Sequence, residues 1–239
     1  MKLTPRLRAI AAKIPTGSIP VDVGTDHCYI PIYLVKNRIC PKAIATEINV
    51  GPYQRAIEMV EREGLLGKID VRLGDGLKVI KPGEANVVVI AGMGGFSIIE
   101  ILKKSPEVLA AIDLLVLQPM LAQDRVRKYL LNSGYMIKDE DLVEESSQIY
   151  EIILAVSGNQ ALQDEMYFEI GYRLFEKRHP LLGRLIDRKL KITESIIKEL
   201  RKINTKKSRE RLEHMEKRFH WLKEAKRNVC QGSNHSSNN

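Results

Sequence analysis

The chain has 239 residues, 44% of them apolar and 28% charged, enough for one α/β domain of ordinary size plus a smaller appendage, each with a buried core. It holds no run of about 18 apolar residues, and its N-terminus, MKLTPRLRAIAAKIPTG, lacks an apolar h-region and a small-residue cleavage site, so a soluble, unprocessed, cytoplasmic protein is expected. The net charge of +8 is unevenly spread: residues 1–159 carry 19 Lys and Arg against 19 Asp and Glu, whereas residues 160–239 carry 19 against 11. A lopsided positive charge is the footprint of a phosphate-binding surface, or else a solvated helical face. Cys28, Cys40 and Cys230 are scattered without metal-ligand spacing, which suits a reducing compartment and no metal site.

An N-terminal helix is expected at PRLRAIAAK, with Leu7, Ile10 and Ala11 inward. From Ile19 onward, β-rich runs alternate with helical patterns. Strands are expected at Ile19–Val23, Lys42–Glu47, Lys68–Asp75, Asn86–Gly92, Asp113–Pro119, Tyr135–Val143 and Ile149–Ser157. Helices are expected near Ile30–Asn37, Pro52–Glu63, Phe96–Lys103 and Gln123–Asn132. This alternation specifies a Rossmann-like parallel sheet. The last two strands have only a short connection and no helix between them, so they should pair antiparallel and complete a seven-stranded α/β sheet.

Beyond Gly158 the pattern is helical throughout. Leu185, Ile192, Ile196 and Ile203 fall on one stripe, and Leu212, Met215, Phe219 and Leu222 repeat at coiled-coil spacing. The polar break NTKKS lets the chain reverse, giving an antiparallel C-terminal coiled-coil hairpin with Lys and Arg outside. The expected division is 1–159 for a cofactor-binding domain, 160–229 for the helical domain and 230–239 for a disordered tail.

In such a sheet, ligands sit beyond the carboxyl ends of the strands. Gly24, in VDVGTDHCYIP, follows the first strand, but a dinucleotide fingerprint has three glycines where this stretch has one. A cofactor without phosphate needs only one close backbone approach, and S-adenosylmethionine fits. Glu47 ends the second strand, 23 residues after Gly24, near the interval at which an acid meets ribose hydroxyls. Asp75 and Gly76 end the third strand, where a carboxylate can accept from an adenine amino group; the fourth ends in AGMGG. Each piece has a plainer reading: Asp75 as a helix cap, the glycines as a turn, His27 as a partly buried ring.

Taken together, DVGTDHCYIP, EINVGPYQRA, GDGL, VIAGMGGFSI and LVLQPM closely resemble the bacterial TrmK family of S-adenosylmethionine-dependent tRNA (adenine-N1)-methyltransferases, which act on the adenine at tRNA position 22. That family also ends in a helical coiled-coil domain, so the resemblance spans most of the chain. It implies cofactor contacts at Asp22, Gly24, His27, Glu47, Ile48 and Asp75. Further contacts are implied at Gly76, Gly92, Met93, Gly94 and Gln118. The sequence departs from the family at Cys28, where a glycine is expected.

Amino-group methyltransferases usually carry Asn/Asp-Pro-Pro-aromatic after the fourth strand, and carbon-5 enzymes a nucleophilic cysteine; here the place reads Ala-Gly-Met-Gly-Gly. A pocket with little side-chain chemistry suits a ring nitrogen such as adenine N1, whose lone pair needs no base. Asp22, Asp26 or Asp75 would stabilise the cationic product, and His27 and Tyr29, with Asp26, are the expected catalytic set. The base must leave its stack. Phosphate contacts are expected from Arg6, Arg8 and Lys13 and from Lys206, Lys207, Arg209 and Arg211 of the hairpin. The expected partner is tRNA, with no membrane and no metal, and the chain a monomer or weak homodimer. Two other readings remain at this stage: methylation of another RNA, a small molecule or a protein with the hairpin serving dimerisation, and a non-catalytic RNA-binding module.

Overall fold

A computed structural model describes residues 2–231 except 163 and 165. Its elements are, in order, α1 (Pro5–Ala11), β1 (Pro20–Val23), α2 (Tyr29–Lys36), β2 (Ala43–Glu47), α3 (Val50–Arg62), β3 (Ile69–Leu73), β4 (Val87–Met93), α4 (Gly95–Lys103) and α5 (Pro106–Leu109). There follow β5 (Leu114–Pro119), α6 (Gln123–Asn132), β6 (Tyr135–Glu145), β7 (Gln148–Ser157), α7 (Tyr167–Ile170), α8 (Tyr172–Glu176), α9 (Leu182–Leu200) and α10 (Lys206–Gln231). The chain divides into two compact units, at Gln163/Asp164.

The first unit is a seven-stranded sheet of order β3-β2-β1-β4-β5-β7-β6. β1 to β5 are parallel, and β7 runs antiparallel to both β5 and β6. The antiparallel strand is therefore interior, and β6, which precedes it in sequence, is the edge. The β6–β7 hairpin closes through Ser146 and Ser147, both left-handed at φ 49° and 64°, the conformation a two-residue turn needs to match strand twist. Alternate residues of one strand feed opposite layers: Val88 and Ile90 pack with Ile98, Leu102 and Leu130, whereas Val87 and Val89 pack with Ile10, Ile30 and Leu34. Such two-sided burial is why the strand runs are apolar without interruption.

Two ionic links tie the sheet to its helices. Arg127 of α6, fully buried, donates from Nε to Glu140 Oε1 and from Nη2 to Glu151 Oε2, both at 2.6 Å, joining β6 and β7. Lys13, after α1, pairs with Asp141 at 2.7 Å and Asp139 at 3.4 Å on β6. Its charge is thereby matched within the unit, and the phosphate role expected for it has no support. Ile10 and Ala11 are buried as expected, and Leu7 packs partly buried beside them.

In the second unit α9 and α10 pair antiparallel. Arg201 meets Glu216 at 2.7 Å, Arg218 Nη1 donates to Thr193 Oγ1 at 2.9 Å, and Lys226 pairs with Asp187. The NTKKS break ends in reciprocal caps: Ser208 N donates to Thr205 Oγ1 at 3.1 Å and Thr205 N to Ser208 Oγ at 3.0 Å. The expected apolar stripe of α9 is corrected. Leu185 is buried, but Ile192 and Ile203 are 49% and 52% exposed, and the buried face is Leu182, Leu185, Ile186, Thr193, Ile197 and Leu200. Two overlapping sets of apolar residues run along this helix, and packing selects the phase that the spacing left open. Tyr167 gathers Tyr172, Phe175 and Trp221 edge-on at 5.5, 5.6 and 6.5 Å between ring centroids. Of the tail expected to be disordered, residues 230 and 231 continue the α10 backbone; the rest lies outside the described residues.

Candidate functional site

The strand order reverses at β1, whose neighbours are β2 and β4, and a cavity opens beyond the carboxyl ends of β1 to β4. Its volume is about 630 Å3, within the usual range for small-molecule sites. Gly24, Glu47, Ile48, Asp75, Gly76 and Met93 line it, so six residues expected from four separate strand ends meet in one place.

Gly24 has φ +73°, and its N–H donates to Thr46 O at 2.8 Å, bending the chain from β1 across the end of β2. A Cβ here would run into the terminal methyl of Met93, so the glycine both takes the left-handed turn and keeps the cavity floor open. Glu47 is 7% exposed; its Oε1 accepts from Ile48 N at 2.9 Å and Asn49 N at 3.1 Å, which fixes the carboxylate while Oε2 keeps no protein partner among the described residues. Ile48, 60% exposed, covers one side of the cavity. Asp75 is half-exposed and accepts from Lys78 Nζ at 2.6 Å, which holds its carboxyl below the usual range.

Asp22 lies under this floor, fully buried and outside the lining. Burial pushes its carboxyl up to about 6, opposed by the Thr25 Oγ1–H donated to it at 2.6 Å and helped by the charge of Glu47. In the loop after β1, Gly24, Asp26 and Cys28 all have positive φ (73°, 44° and 56°). Cys28 thus stands where a glycine would be unstrained, which is the geometric meaning of its departure from the family; its side chain fills a buried gap, and burial pushes its thiol up to about 12.

Asp26 and His27 on that loop and Tyr29 at the start of α2 lie together but outside the cavity lining. Asp26 pairs with Arg55 Nη2 at 2.6 Å and with His27 Nε2 at 3.5 Å, and His27 stacks on Tyr29 with centroids 5.1 Å apart. Arg55, on α3, was missed by sequence reasoning, because nothing local links it to a residue 29 positions earlier.

Within GMGG only Met93 lines the cavity. Gly92 sits at the irregularity of β4 between Ala91 and Met93 with φ +77°. Gly94 caps α4, and Gly95 lets the β5–α6 loop close on α4, since a Cβ there would lie 2.6 Å from Leu121 O. Gln118, expected at the cofactor, is instead buried behind this loop, its Oε1 accepting from Arg6 Nη1 at 2.7 Å and Gly92 N at 3.2 Å. Arg6 is therefore bonded into the fold, whereas Arg8 is exposed. The first turns of α4 add Phe96, Ser97, Glu100 and Ile101, with Lys104 beyond. Phe96, 66% exposed beside GMGG, was the signal available in the sequence for this wall.

Lys206, Lys207, Arg209 and Arg211 are all exposed at the start of α10. No helix among the described residues is long and apolar enough to cross a membrane, and no group of three metal-ligating side chains occurs among them.

Residues 20–224 match the family model for TrmK, tRNA (adenine(22)-N(1))-methyltransferase. The tRNA (adenine(22)-N(1))-methyltransferase of Bacillus subtilis (strain 168) is 35% identical over 230 residues, covering 94% of this chain and 97% of that protein. The crystal structure of the Bacillus subtilis methyltransferase TrmK superposes with a TM-score of 0.88 at 34% identity, over 94% of this chain and 99% of that one. Streptococcus pneumoniae Sp1610 in complex with S-adenosyl-L-methionine superposes with a TM-score of 0.85 at 31% identity, over 94% of this chain and 100% of that one. With its single-glycine first loop, its Glu47 and Asp75 strand ends and its helical second unit, the chain belongs to the TrmK family.

Proposed function

We propose that this chain transfers a methyl group from S-adenosylmethionine to N1 of the adenine at position 22 of tRNA, acting in the cytoplasm. The observation that carries the reading is the convergence of Gly24, Glu47, Ile48 and Asp75 on one cavity. These residues suit a phosphate-free adenosyl cofactor: a backbone that allows close approach, a fixed carboxylate with one unpartnered oxygen for hydroxyls, an apolar cover and a second acid. When bound, that cofactor supplies an electrophilic methyl on a sulfonium centre. Adenine N1 brings its own lone pair, so no side chain has to remove a proton before the bond forms, and the protein's contribution is positioning. The stacked His27–Tyr29 pair, braced by Asp26 and Arg55, offers a half-exposed aromatic surface for orienting a base turned out of its stack. Asp22, beneath the cavity floor, supplies negative charge towards the cationic product when ionised, whereas the charge of Asp26 is matched by Arg55.

The second unit supplies the grip on tRNA. Three cations, Lys206, Lys207 and Arg209, fall in the first turn of α10, where the helix dipole disfavours positive charge by roughly 0.3–1 kcal/mol each, a cost that phosphate contacts would offset.

Mass spectrometry of nucleosides tests the reading. Incubating an unmodified tRNA transcript with protein and S-adenosylmethionine should yield N1-methyladenosine, and a transcript with guanine at position 22 should yield none. Methylation of both transcripts, or of neither, sinks the proposal.

A further inference from the structure

Of the chain's four phenylalanines, three are partly buried in the second unit, whereas Phe96, in the first turn of α4, is 66% exposed. The backbone around it is clamped. Gly95 N donates to Leu121 O at 2.9 Å and Met120 N to Met93 O at 2.8 Å, so the β5–α6 loop is locked against the turn between β4 and α4. That loop brings two more large apolar residues beside Phe96, Met120 at 40% and Leu121 at 72% exposure. Single exposed apolar side chains are ordinary. Three of them, held on two clamped turns at a ligand cavity, mark a contact surface.

The cavity gives this surface a direction. α4 lines it with one face: Phe96 and Ser97 in the first turn, then Glu100 and Ile101, with Lys104 beyond. Ile101 lies against Gly76, whose added Cβ would stand 3.1 Å from it, and so marks the Asp75 end, where the cofactor's adenine belongs. Met93, three residues before Phe96, lies against Gly24 and marks the end where the sulfonium belongs. Phe96 and Ile101 are separated by about 7.5 Å of helix rise. The cofactor's own ring therefore finds its apolar cover at Ile48 and Ile101, and Phe96 stands at the methyl end, where the acceptor must enter.

We infer that Phe96 is the face on which the turned-out adenine of the substrate stacks, with Met120 and Leu121 bordering it. This assignment deepens the proposed reaction and rests on it. His27 and Tyr29 lie outside the cavity lining, whereas Phe96 lies within it. During transfer the bond from sulfur to the methyl carbon breaks as the bond from adenine N1 to that carbon forms, and the positive charge passes from sulfur to the adenine ring. The negative face of a phenyl ring attracts a ring that is becoming cationic, so the contact strengthens along the reaction. The size of the surface also points to a base. One aromatic ring bordered by two apolar side chains matches a single nucleobase, whereas a stable protein interface takes roughly 20–30 residues a side.

The test uses the full-length protein, S-adenosylmethionine and an unmodified tRNA transcript with adenine at position 22. Phe96→Ala, Phe96→Leu and Phe96→Tyr are compared with the wild type. The Ala and Leu variants should lower kcat/KM for tRNA roughly 5- to 150-fold, the loss of one base–aromatic stack, while Tyr, which keeps the ring, should stay within about threefold. Part of the Leu defect should persist in kcat at saturating tRNA, because the contact is stronger in the transition state than in the bound substrate. The melting temperature, and the Kd for S-adenosylmethionine measured without tRNA, should stay at wild-type values in all three. A Leu variant as active as the wild type overturns the inference and leaves the substrate reading standing. So does a defect confined to the Kd for S-adenosylmethionine, which would make Phe96 a cofactor contact, or a wild-type dimer that Phe96→Ala dissociates in sedimentation without loss of methylation. A wild type that does not methylate the transcript overturns both.

Discussion

Arg6 Nη1 donates to Gln118 Oε1 at 2.7 Å, and the same oxygen accepts Gly92 N at 3.2 Å, so a residue of the first helix sets the shape of the loop that floors the cavity. Arg6→Ala should lower stability by about 1–3 kcal/mol, because a buried amide oxygen loses a charged donor. Arg8→Ala, at an exposed position, should leave the melting temperature unchanged. Thermal melts of the two variants decide; equal melting temperatures would return Arg6 to the RNA-contact role expected from the sequence.

Gly24→Val should abolish binding of S-adenosylmethionine with the sheet intact. The φ of +73° costs a side-chain-bearing residue about 1–2 kcal/mol, less than a domain's stability, while the new side chain displaces Met93 into the cavity. Calorimetry should show no heat with the variant, and its circular dichroism should match the wild type. Undiminished binding would mean that the cofactor does not pass over Gly24.

Glu47→Ala should weaken cofactor affinity by about 1–3 kcal/mol, roughly 5- to 150-fold. Glu47→Gln should lose less, since its amide oxygen can still accept from Ile48 and Asn49 and keep the side chain in place. Calorimetric Kd values in the order wild type, Gln, Ala are expected; an Ala variant that binds like the wild type places the ribose elsewhere.

Asp22 carries a pH dependence of definite sign. Its folded pKa of about 6 lies above the unfolded value near 4, so the protonated carboxyl favours the fold fully below about pH 4. That contribution, at most about 3 kcal/mol, is lost as pH rises through 6. A bound sulfonium cation favours the ionised form, so affinity for S-adenosylmethionine should rise between pH 5 and 7. Asp22→Asn should flatten both the stability and the affinity profiles; profiles that keep their slope in the variant assign the titration to another group.

Arg127→Ala should destabilise the first unit by about 3–5 kcal/mol, because it strips the buried Glu140 and Glu151 carboxylates of the guanidinium they share. Urea midpoints measure it. A shift below about 1 kcal/mol would show that water or local rearrangement replaces the guanidinium.

What the sequence by itself determined is chemistry carried by the local chain. Alternating apolar runs and helical patterns specify the parallel sheet, and a residue at the end of a parallel strand lies at the ligand edge whatever else packs around it. Gly24, Glu47 and Asp75 could therefore be found by position. The antiparallel pairing of the last two strands was legible for the same reason, since a short connection without a helix permits little else. Only the tertiary structure decided matters that depend on which surfaces face each other. The insertion of β7 between β5 and β6, the bond from Arg6 to Gln118 and the brace from Arg55 to Asp26 each join residues far apart in the chain. The buried phase of α9 was of this kind too: Ile192 and Ile197 are equally apolar, and burial of one rather than the other is set by the packed partner, not by the helix's own period.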